Sequence, residues 1–320
     1  MQSFPRVITS SVIRSAYQGE SHGGVYICDL ETGYIEQAID WSDDTINWEG
    51  RGGDRGLRGI AFYDDKVYLA ASDEIFVHTK LFELVESYRN KYLRHCHEIF
   101  ISGNMLFLTS TGFDSVLELD LQSKSFTRGY CIRYGKIGRY LRRLHLRHVP
   151  TLRIFDPNSN NGPLPGDTTH INSVHYSEGR LYVSGSGLGS LLYLKGKKLL
   201  PYARIPYLTH NAQPFREGVL LNDTAADRVA YLNRKGQVLG AFSIKHYEAE
   251  ELLMSRLSED VARQAFGRGL CIARDGLVIG GSSPATISVY QLGGPPTVLK
   301  TINITMDVRN AIHGLEIWPY

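Results

Sequence analysis

The chain is poor in cysteine, and the cysteines it has form no recognisable pattern. Four occur in 320 residues, and none belongs to a CxxC pair or to a disulfide-rich spacing. This distribution excludes a fold that depends on a disulfide framework. We therefore expect free and mostly buried thiols at Cys28, Cys96, Cys131 and Cys271.

Long apolar runs and an excess of charge of one sign are also absent. No window is long and apolar enough for a transmembrane helix, and Met1 to Val12 lacks the charged start and apolar core of a signal peptide. The formal net charge of +2 is too small to attract nucleic acid to the whole surface. We expect a cytoplasmic protein without a membrane or nucleic-acid partner, and the sequence leaves the oligomeric state open.

Motifs of several enzyme classes are missing as well. The sequence contains no GxSxG nucleophile turn, no phosphate-binding loop and no HExxH zinc motif. GSGLGS, from Gly185, superficially resembles a dinucleotide loop, but no helix follows it, and we interpret it as a turn between strands. Serine hydrolases, nucleotide-dependent enzymes and zincins are therefore disfavoured.

The chain does contain a repeated pattern of two apolar stretches around a turn. Each copy predicts a β-hairpin, because the stretches have strand length and the turns carry Gly, Asp or Asn. Further apolar runs follow most copies. A four-stranded blade needs roughly 40 to 50 residues, so the short spacings between copies fit one blade each. The copies are RGIAFYDDKVYLAAS from Arg58, HEIFISGNMLFLTST from His97, NSVHYSEGRLYVSGS from Asn172, NAQPFREGVLLNDT from Asn211 and RGLCIARDGLVIGGS from Arg268.

A sixth copy, HGLEIWPY from His313, ends after one strand. Its missing partners are predicted at the other end of the chain, in RVITSSVI, GGVYICDL and YIEQAID. Pairing the termini within one blade removes exposed sheet edges. The sequence therefore predicts an all-β, six-bladed propeller that spans residues 1–320 as one domain.

Two segments interrupt the repeat. Residues 133–169 contain a basic run, 133–153, and then the Pro-, Asn- and Gly-rich FDPNSNNGPLPGD, which leads into His170. We interpret the basic run as a solvated insertion or a ligand-facing lip, in preference to a nucleic-acid or membrane patch. Residues 245–266 have apolar residues at helical spacing, which predicts one amphipathic helix. Such insertions commonly form the walls of a site or decorate the surface.

The first position of the repeat is polar in every copy. The first strand of each propeller blade lines the central channel, so equivalent residues converge on one axis. The next position is small in five of six copies, which suits backbones crowded around that axis. The predicted ring consists of Arg58, His97, Asn172, Asn211, Arg268 and His313.

Histidines cluster at the same level and provide a candidate metal site. His97, His170, His210 and His313 form the pool of candidate ligands, and imidazoles suit Fe, Cu or Zn. Glu98 is predicted to support a ligand or to act as general base. A polar ring with a purely structural role remains the alternative.

The other ring residues predict substrate binding. Arg58 and Arg268 have the planar guanidinium groups that bind carboxylate or phosphate, and Asn172 and Asn211 can bind beside them. An anionic small molecule is therefore the expected ligand.

One segment carries a resemblance to a known superfamily. INSVHYSEGRLYVSGS, from Ile171, resembles the inner hairpin of the six-bladed gluconolactonase, paraoxonase and strictosidine-synthase-like propellers. The resemblance implies a six-bladed propeller, and Asn172 and Asn211 match asparagines that bind calcium in some members. Arg58 and Arg268 stand where those enzymes have acidic ligands, so Fe, Cu or Zn is predicted ahead of calcium. HCHEIF and DTTHINSV are also similar to segments of an uncharacterised bacterial propeller family.

Three functions fit this sequence. The first is a metal-assisted hydrolase, lyase or oxygenase acting on an anionic substrate at the mouth of the channel. The second is a binding module that holds an anionic small molecule or peptide without chemistry. The third is a scaffold for protein interactions.

Overall fold

A computed structural model describes residues 3–17, 19–42, 56–135, 138, 140, 149–274, 276–295 and 297–320. Across these residues the strands form six antiparallel sheets, five with four strands and one with five. Each sheet is one blade of the predicted propeller. The all-β, six-bladed architecture is confirmed.

The first three blades follow one another along the chain. The first contains β1 (Arg6–Ile13), β2 (Gly24–Asp29) and β3 (Ile35–Asp40). The second contains β4 (Ile60–Tyr63), β5 (Lys66–Ala71), β6 (Glu74–Thr79) and β7 (Leu84–Arg89). The third contains β8 (Ile99–Ser102), β9 (Met105–Ser110), β10 (Ser115–Asp120), β11 (Ser125–Arg133) and β12 (Thr151–Phe155).

The remaining strands complete the ring. The fourth blade contains β13 (Ile171–Ser177), β14 (Arg180–Gly185), β15 (Ser190–Lys195) and β16 (Lys198–Arg204). The fifth contains β17 (Thr209–Phe215), β18 (Gly218–Asp223), β19 (Arg228–Asn233) and β20 (Val238–Ser243). The sixth contains β21 (Leu270–Arg274), β22 (Leu277–Ser282), β23 (Thr286–Gln291) and β24 (Thr297–Asn303), and β25 (Asn310–Ile317) follows.

The two ends of the chain meet in the first blade. Strand β25 pairs with β1 in antiparallel register, with Val7 opposite Ile317 and Thr9 opposite Leu315. The order in this sheet is β25, β1, β2 and β3, so the C-terminal strand is innermost. Closure by the N- and C-terminal strands, as the sequence predicts, leaves no sheet edge open at the junction.

Burial changes systematically from the axis outwards. The second strand of a blade is buried along almost its whole length, as in β18 and β22, because both of its faces pack against neighbouring blades. Leu108 and Leu117 of the third blade, for example, pack in one cluster with Ile75 and Val77 of the second. The outermost strands, such as β7 and β24, are largely exposed on their outer side. The apolar core therefore lies between the blades.

Glycines permit the closest contacts at the axis. A Cβ on Gly314 would lie 2.2 Å from the carbonyl oxygen of Arg58, and one on Gly59 would lie 2.7 Å from the backbone nitrogen of Ile99. Both are shorter than any contact a real Cβ tolerates. The small residue after the ring position is thus required by the approach of adjacent inner strands.

The first insertion adds a strand and then packs a loop against the third blade. Its β12 pairs with β11 as the fifth strand. In the loop beyond it, the hydroxyl of Tyr92 donates to Ser159 O (3.1 Å) and accepts from Gly162 N (2.8 Å). The basic run predicted as a lip falls largely at residues 136–148, of which all but 138 and 140 lie outside the described residues.

The second insertion, residues 245–266, does not form the predicted helix. It consists of separate turns, and Leu253 instead makes an isolated bridge with Asp307. Met254 and Ala265 have positive φ angles of 58° and 57°, which a continuous right-handed helix does not allow. Leu253 and Met254 are also exposed, so the apolar spacing does not produce one buried face.

The four cysteines are free and buried. Burial raises the pKa of Cys28 and of Cys96 to about 12, so neither is a thiolate at neutral pH. None of the helices in the described ranges has the length and apolar character needed to cross a bilayer.

Candidate functional site

Six polar side chains, one from each blade, meet at one mouth of the channel. The inner strands all begin at this end, so their first residues converge there. The rings of His97 and His170 lie 5.4 Å apart between centroids, and a guanidinium nitrogen of Arg268 contacts His313 Nε2. Burial, together with the charges of Arg58 and Arg268, lowers the pKa of His97 well below its usual value. Its imidazole is therefore neutral at pH 7.

His170 is oriented by a carboxylate. Its Nδ1 lies 2.9 Å and 3.0 Å from the two carboxylate oxygens of Asp167, which accept the Nδ1 proton. This contact fixes the tautomer and leaves Nε2 with a lone pair for a ligand. A carboxylate-oriented imidazole is also the arrangement of a general base.

A buried aspartate fixes the segment that carries His170. Asp114 Oδ1 accepts hydrogen bonds from the backbone nitrogens of Thr168 (2.9 Å), Thr169 (2.8 Å) and His170 (3.1 Å). Its Oδ2 accepts from the Thr168 hydroxyl (2.9 Å) and from Arg133 Nε (3.0 Å). Asp114 is fully buried, so these contacts satisfy a charge that water does not reach. The loop is therefore held rigidly at the channel mouth.

The tautomer of His210 follows from a chain of hydrogen bonds. The Thr224 hydroxyl donates to Gly267 O (3.3 Å), so its oxygen accepts from His210 Nδ1 (2.9 Å). Nε2 is then the unprotonated nitrogen, and within the described ranges this buried atom has no hydrogen-bond partner. Burial lowers the pKa of His210 well below its usual value, so the ring stays neutral.

His313 is held in the same sense. Its Nδ1 donates to Ala311 O (3.1 Å), which leaves Nε2 as the acceptor for the guanidinium of Arg268. Thus His170, His210 and His313 each use Nδ1 to fix the ring and present Nε2. His313 differs from His210 in one respect. Its Nε2 already has a hydrogen-bond donor, the guanidinium of Arg268, whereas the Nε2 of His210 has none among the described residues.

Arginines make the mouth strongly basic. Arg58 is buried, and its Nη1 lies 3.4 Å from Cys96 O. Three further guanidinium groups pack on the ring of Phe266, with distances to its centroid of 4.6 Å for Arg14, 4.9 Å for Arg263 and 4.7 Å for Arg268. Arg263 is paired with Asp227 through a contact of 2.6 Å.

The predicted asparagines bind neighbouring blades together. Asn172 Nδ2 donates to Thr209 O (3.1 Å), whereas Asn172 Oδ1 is buried without a hydrogen bond in the described part of the chain. Asn211 Oδ1 accepts from Gly269 N and from Asn222 Nδ2, both at 3.0 Å. Asn211 Nδ2 donates to Glu98 (3.0 Å), so all of its amide is engaged.

Glu98 separates the mouth from a cavity deeper in the channel. Its carboxylate accepts from Val174 N (3.1 Å) and from Asn211 Nδ2 (3.0 Å). Desolvation nevertheless raises the pKa of Glu98 to about 7. The cavity beyond it has a volume of about 300 Å³ and is lined by five inner strands. We call it the inner chamber; its polar lining comprises Glu98, Ser173, His175, Asn211, Gln213 and Glu316.

The four predicted metal ligands lie in one region, but their geometry is not that of a formed metal centre. Among the described residues, no group of three or more His, Cys, Asp or Glu side chains is arranged to hold a metal ion. Arg268 contacts His313 Nε2, the nitrogen that would bind a metal ion. A metal cation beside the charges of Arg58 and Arg268 is also electrostatically disfavoured. Metal binding stays a prediction.

Sequence reasoning missed three acidic residues of this region. Asp167 lies only three residues before His170, in the PGD sequence that ends the loop. This short spacing could have indicated the contact between the two side chains. Asp114 and Glu316 have no such signal, because Asp114 contacts residues that are distant in the chain and Glu316 lines the inner chamber. Asp223, at the end of β18, pairs with Arg228 (2.8 Å).

Comparison with known proteins shows the fold. No protein-family model matches the chain, and no curated protein matches it in sequence. A protein of unknown function from Bacteroides caccae is 10% identical with a TM-score of 0.54, and 98% of each chain is covered. Apo AztD from Citrobacter koseri is 9% identical with a TM-score of 0.50, again with 98% of each chain covered. The C-terminal WD40 domain of Sif2 is 9% identical with a TM-score of 0.52, covering 96% of this chain and 90% of that one. These likenesses extend over nearly the whole chain and agree with the six-bladed β-propeller that its own six sheets define.

Proposed function

We propose that the mouth of the channel is the active site of an enzyme that binds a small anionic substrate and moves a proton on it. Arg58 and Arg268 bind the anion, and His170, oriented by Asp167, transfers the proton. The observation that carries this proposal is the meeting of guanidinium groups and neutral, tautomer-fixed imidazoles at one mouth.

Charge supports the anionic class of substrate. The cationic side chains at the mouth are Arg58 and Arg268. The acids there are already hydrogen-bonded, Asp167 to His170 and Glu98 to Val174 N and Asn211. Guanidinium groups bind carboxylate and phosphate with two parallel hydrogen bonds, which also fixes the orientation of the substrate. Partial burial strengthens these contacts, because water screens them less.

Proton transfer is supported by the state of the imidazoles. His170 Nε2 has a lone pair, and Asp167 stabilises the imidazolium that forms when this nitrogen takes a proton. Glu98 lies beside His97, and its pKa of about 7 allows it to give or take a proton near neutral pH. Proton abstraction followed by loss of a leaving group, as in a lyase, fits this pair of groups.

A metal-assisted form of the same enzyme is the second candidate. One observation favours it: the buried His210 Nε2 has a lone pair and no hydrogen-bond partner in the described ranges. Its Nδ1 is held by Thr224, as is usual for a histidine that binds a metal. His170 and His210 would provide the nitrogens, and Fe, Cu or Zn are the metals that suit them. Calcium-dependent lactonase chemistry, which the superfamily resemblance implies, has less support because guanidinium groups border the site.

Anion binding tests the proposal first. Titration calorimetry with inorganic phosphate and with small dicarboxylates is expected to give one site per chain, and Arg58→Ala combined with Arg268→Ala is expected to remove it. Arg6→Ala is the matched control, because Arg6 is exposed at the end of β1 that lies away from the mouth. Unchanged binding in the double variant would contradict an anion site at the mouth.

Turnover then separates an enzyme from a binding module. A panel of small carboxylates and phosphate esters that bind the protein would be followed by NMR for chemical conversion. His170→Asn is expected to abolish conversion while binding is retained. Anions that bind and are never converted would support the binding module.

Elemental analysis of the purified protein distinguishes the two forms of the enzyme, since about one Fe, Cu or Zn per chain supports the metal-assisted form.

A further inference from the structure

The inner chamber differs in character from the mouth. It extends from the level of Glu98 along the inner strands, away from the end where they begin, and reaches Phe100, Ile272 and Glu316. Its volume of about 300 Å³ lies at the lower end of the range for small-molecule sites. The chamber is thus large enough for a compact ligand.

Two carboxylates line the chamber, and none of the arginines or lysines that the structure describes does. Glu98 is held in place by Val174 N and Asn211 Nδ2. The side chain of Glu316 makes no hydrogen bond or ion pair with the described residues. Two like charges enclosed together are costly unless a cation or protons compensate them. The pair therefore favours a cation, which can take the place of a proton between the two carboxylates.

The neutral lining argues for an organic cation. Ile99, Val174, Leu270 and Ile272 form apolar walls, which a strongly hydrated inorganic ion does not favour. The ring of Phe100, with its centroid 4.6 Å from that of His175, adds an aromatic surface that attracts ammonium groups. Burial lowers the pKa of His175 to about 4, so this ring adds no positive charge at neutral pH.

We propose that the inner chamber is a second binding site, distinct from the mouth, that takes a compact organic cation such as a primary alkylammonium with Glu98 and Glu316 as its counter-ions. The ammonium group lies between the carboxylates, and the alkyl part packs on the apolar walls. Glu98 and Asn211 border both compartments, so the two sites share one wall. The chamber site stands whether or not the mouth is catalytic.

Titration calorimetry with n-butylammonium tests this site. At about pH 8.5 the probe is still protonated and the carboxylates are mostly ionised. We expect butylammonium to bind at one site per chain, and 1-butanol and butyrate, which match its size without its charge, to bind about tenfold more weakly or not at all. Equal binding of butylammonium and 1-butanol, or no binding of butylammonium, would overturn the proposal.

Variants locate the binding. Glu316→Gln is expected to weaken butylammonium about tenfold, whereas Glu36→Gln, at an exposed position of β3, is expected to leave it unchanged. Arg268→Ala changes the mouth and is expected to retain the amine, which separates this site from the anion site. An unchanged affinity in a folded Glu316→Gln protein would rule out the chamber. If that variant does not fold, the comparison of the three probes on the unmodified protein decides.

Discussion

The buried carboxylate of Asp114 accepts a hydrogen bond from the backbone nitrogen of His170, 56 residues further along the chain. The same carboxylate accepts from Thr168 and Thr169, so three consecutive residues are anchored at one point. Asp114 itself has a left-handed backbone conformation, with φ of 49°, that turns its side chain towards the next blade. This contact makes the position of His170 a property of the fold.

Replacing this carboxylate should destabilise the protein. Asp114→Asn exchanges one acceptor oxygen for a donor that faces other donors, and we expect a loss of about 3 kcal/mol in the free energy of unfolding. Urea denaturation followed by circular dichroism measures the loss. Asp65→Asn, in an exposed turn, is the matched control and should change stability by less than about 0.5 kcal/mol. Equal stability of the two variants would show that Asp114 does not anchor the loop.

The tautomer of His170 should depend on Asp167. In the unmodified protein we expect the proton on Nδ1, because the carboxylate accepts it. Asp167→Asn removes the charge that favours this form, so a mixture of the two tautomers is expected. Nitrogen chemical shifts of the imidazole, measured by NMR above pH 7.5, report the proton position directly. A single Nδ1-protonated form in the variant would mean that Asp167 does not orient the ring.

Much of the fold could be predicted from the sequence, and the reason is its periodicity. Each blade begins with the same pair of apolar stretches around a turn, so Arg58, His97 and Arg268 could be aligned before any contact was known. The prediction of a helix at 245–266 was wrong, because apolar spacing alone does not reveal the left-handed backbone conformation of Met254. Of the site, the sequence predicted only the residues at or next to the first position of each repeat copy. Asp114 acts through a contact between blades, and no local pattern indicates such a contact.

The pH dependence of stability should include a contribution from Glu316. Burial, followed by repulsion from Glu98, raises the pKa of this carboxyl from 4.5 to about 8. Between these values the folded protein holds a proton that the unfolded chain releases, so the contribution is fully present below about 4.5 and is lost as the pH rises through about 8. We expect Glu316→Gln to be more stable than the unmodified protein at pH 9 by about 1 to 3 kcal/mol, with the difference much smaller at pH 5. Urea denaturation at the two pH values measures it, and a difference that does not change with pH would contradict the assignment.

Crowding at the axis gives a prediction that is independent of charge. Gly314→Ala places a Cβ 2.2 Å from the carbonyl oxygen of Arg58, so adjacent inner strands must separate. A loss of about 3 kcal/mol or more in the free energy of unfolding is expected, similar to overpacking a core. Gly294→Ala, which meets no atom within 4 Å, is the control and should be close to neutral. Thermal unfolding of both variants tests whether the ring is as tightly closed as described.

The account depends most on the mouth being one shared anion site. Its most direct test is an NMR titration of the histidine rings with inorganic phosphate. The account predicts that His97, His170, His210 and His313 shift together with one dissociation constant, while His78, buried in β6, and His175, in the inner chamber, do not move. Shifts with unrelated constants, or equal movement of His78 and His175, would contradict it.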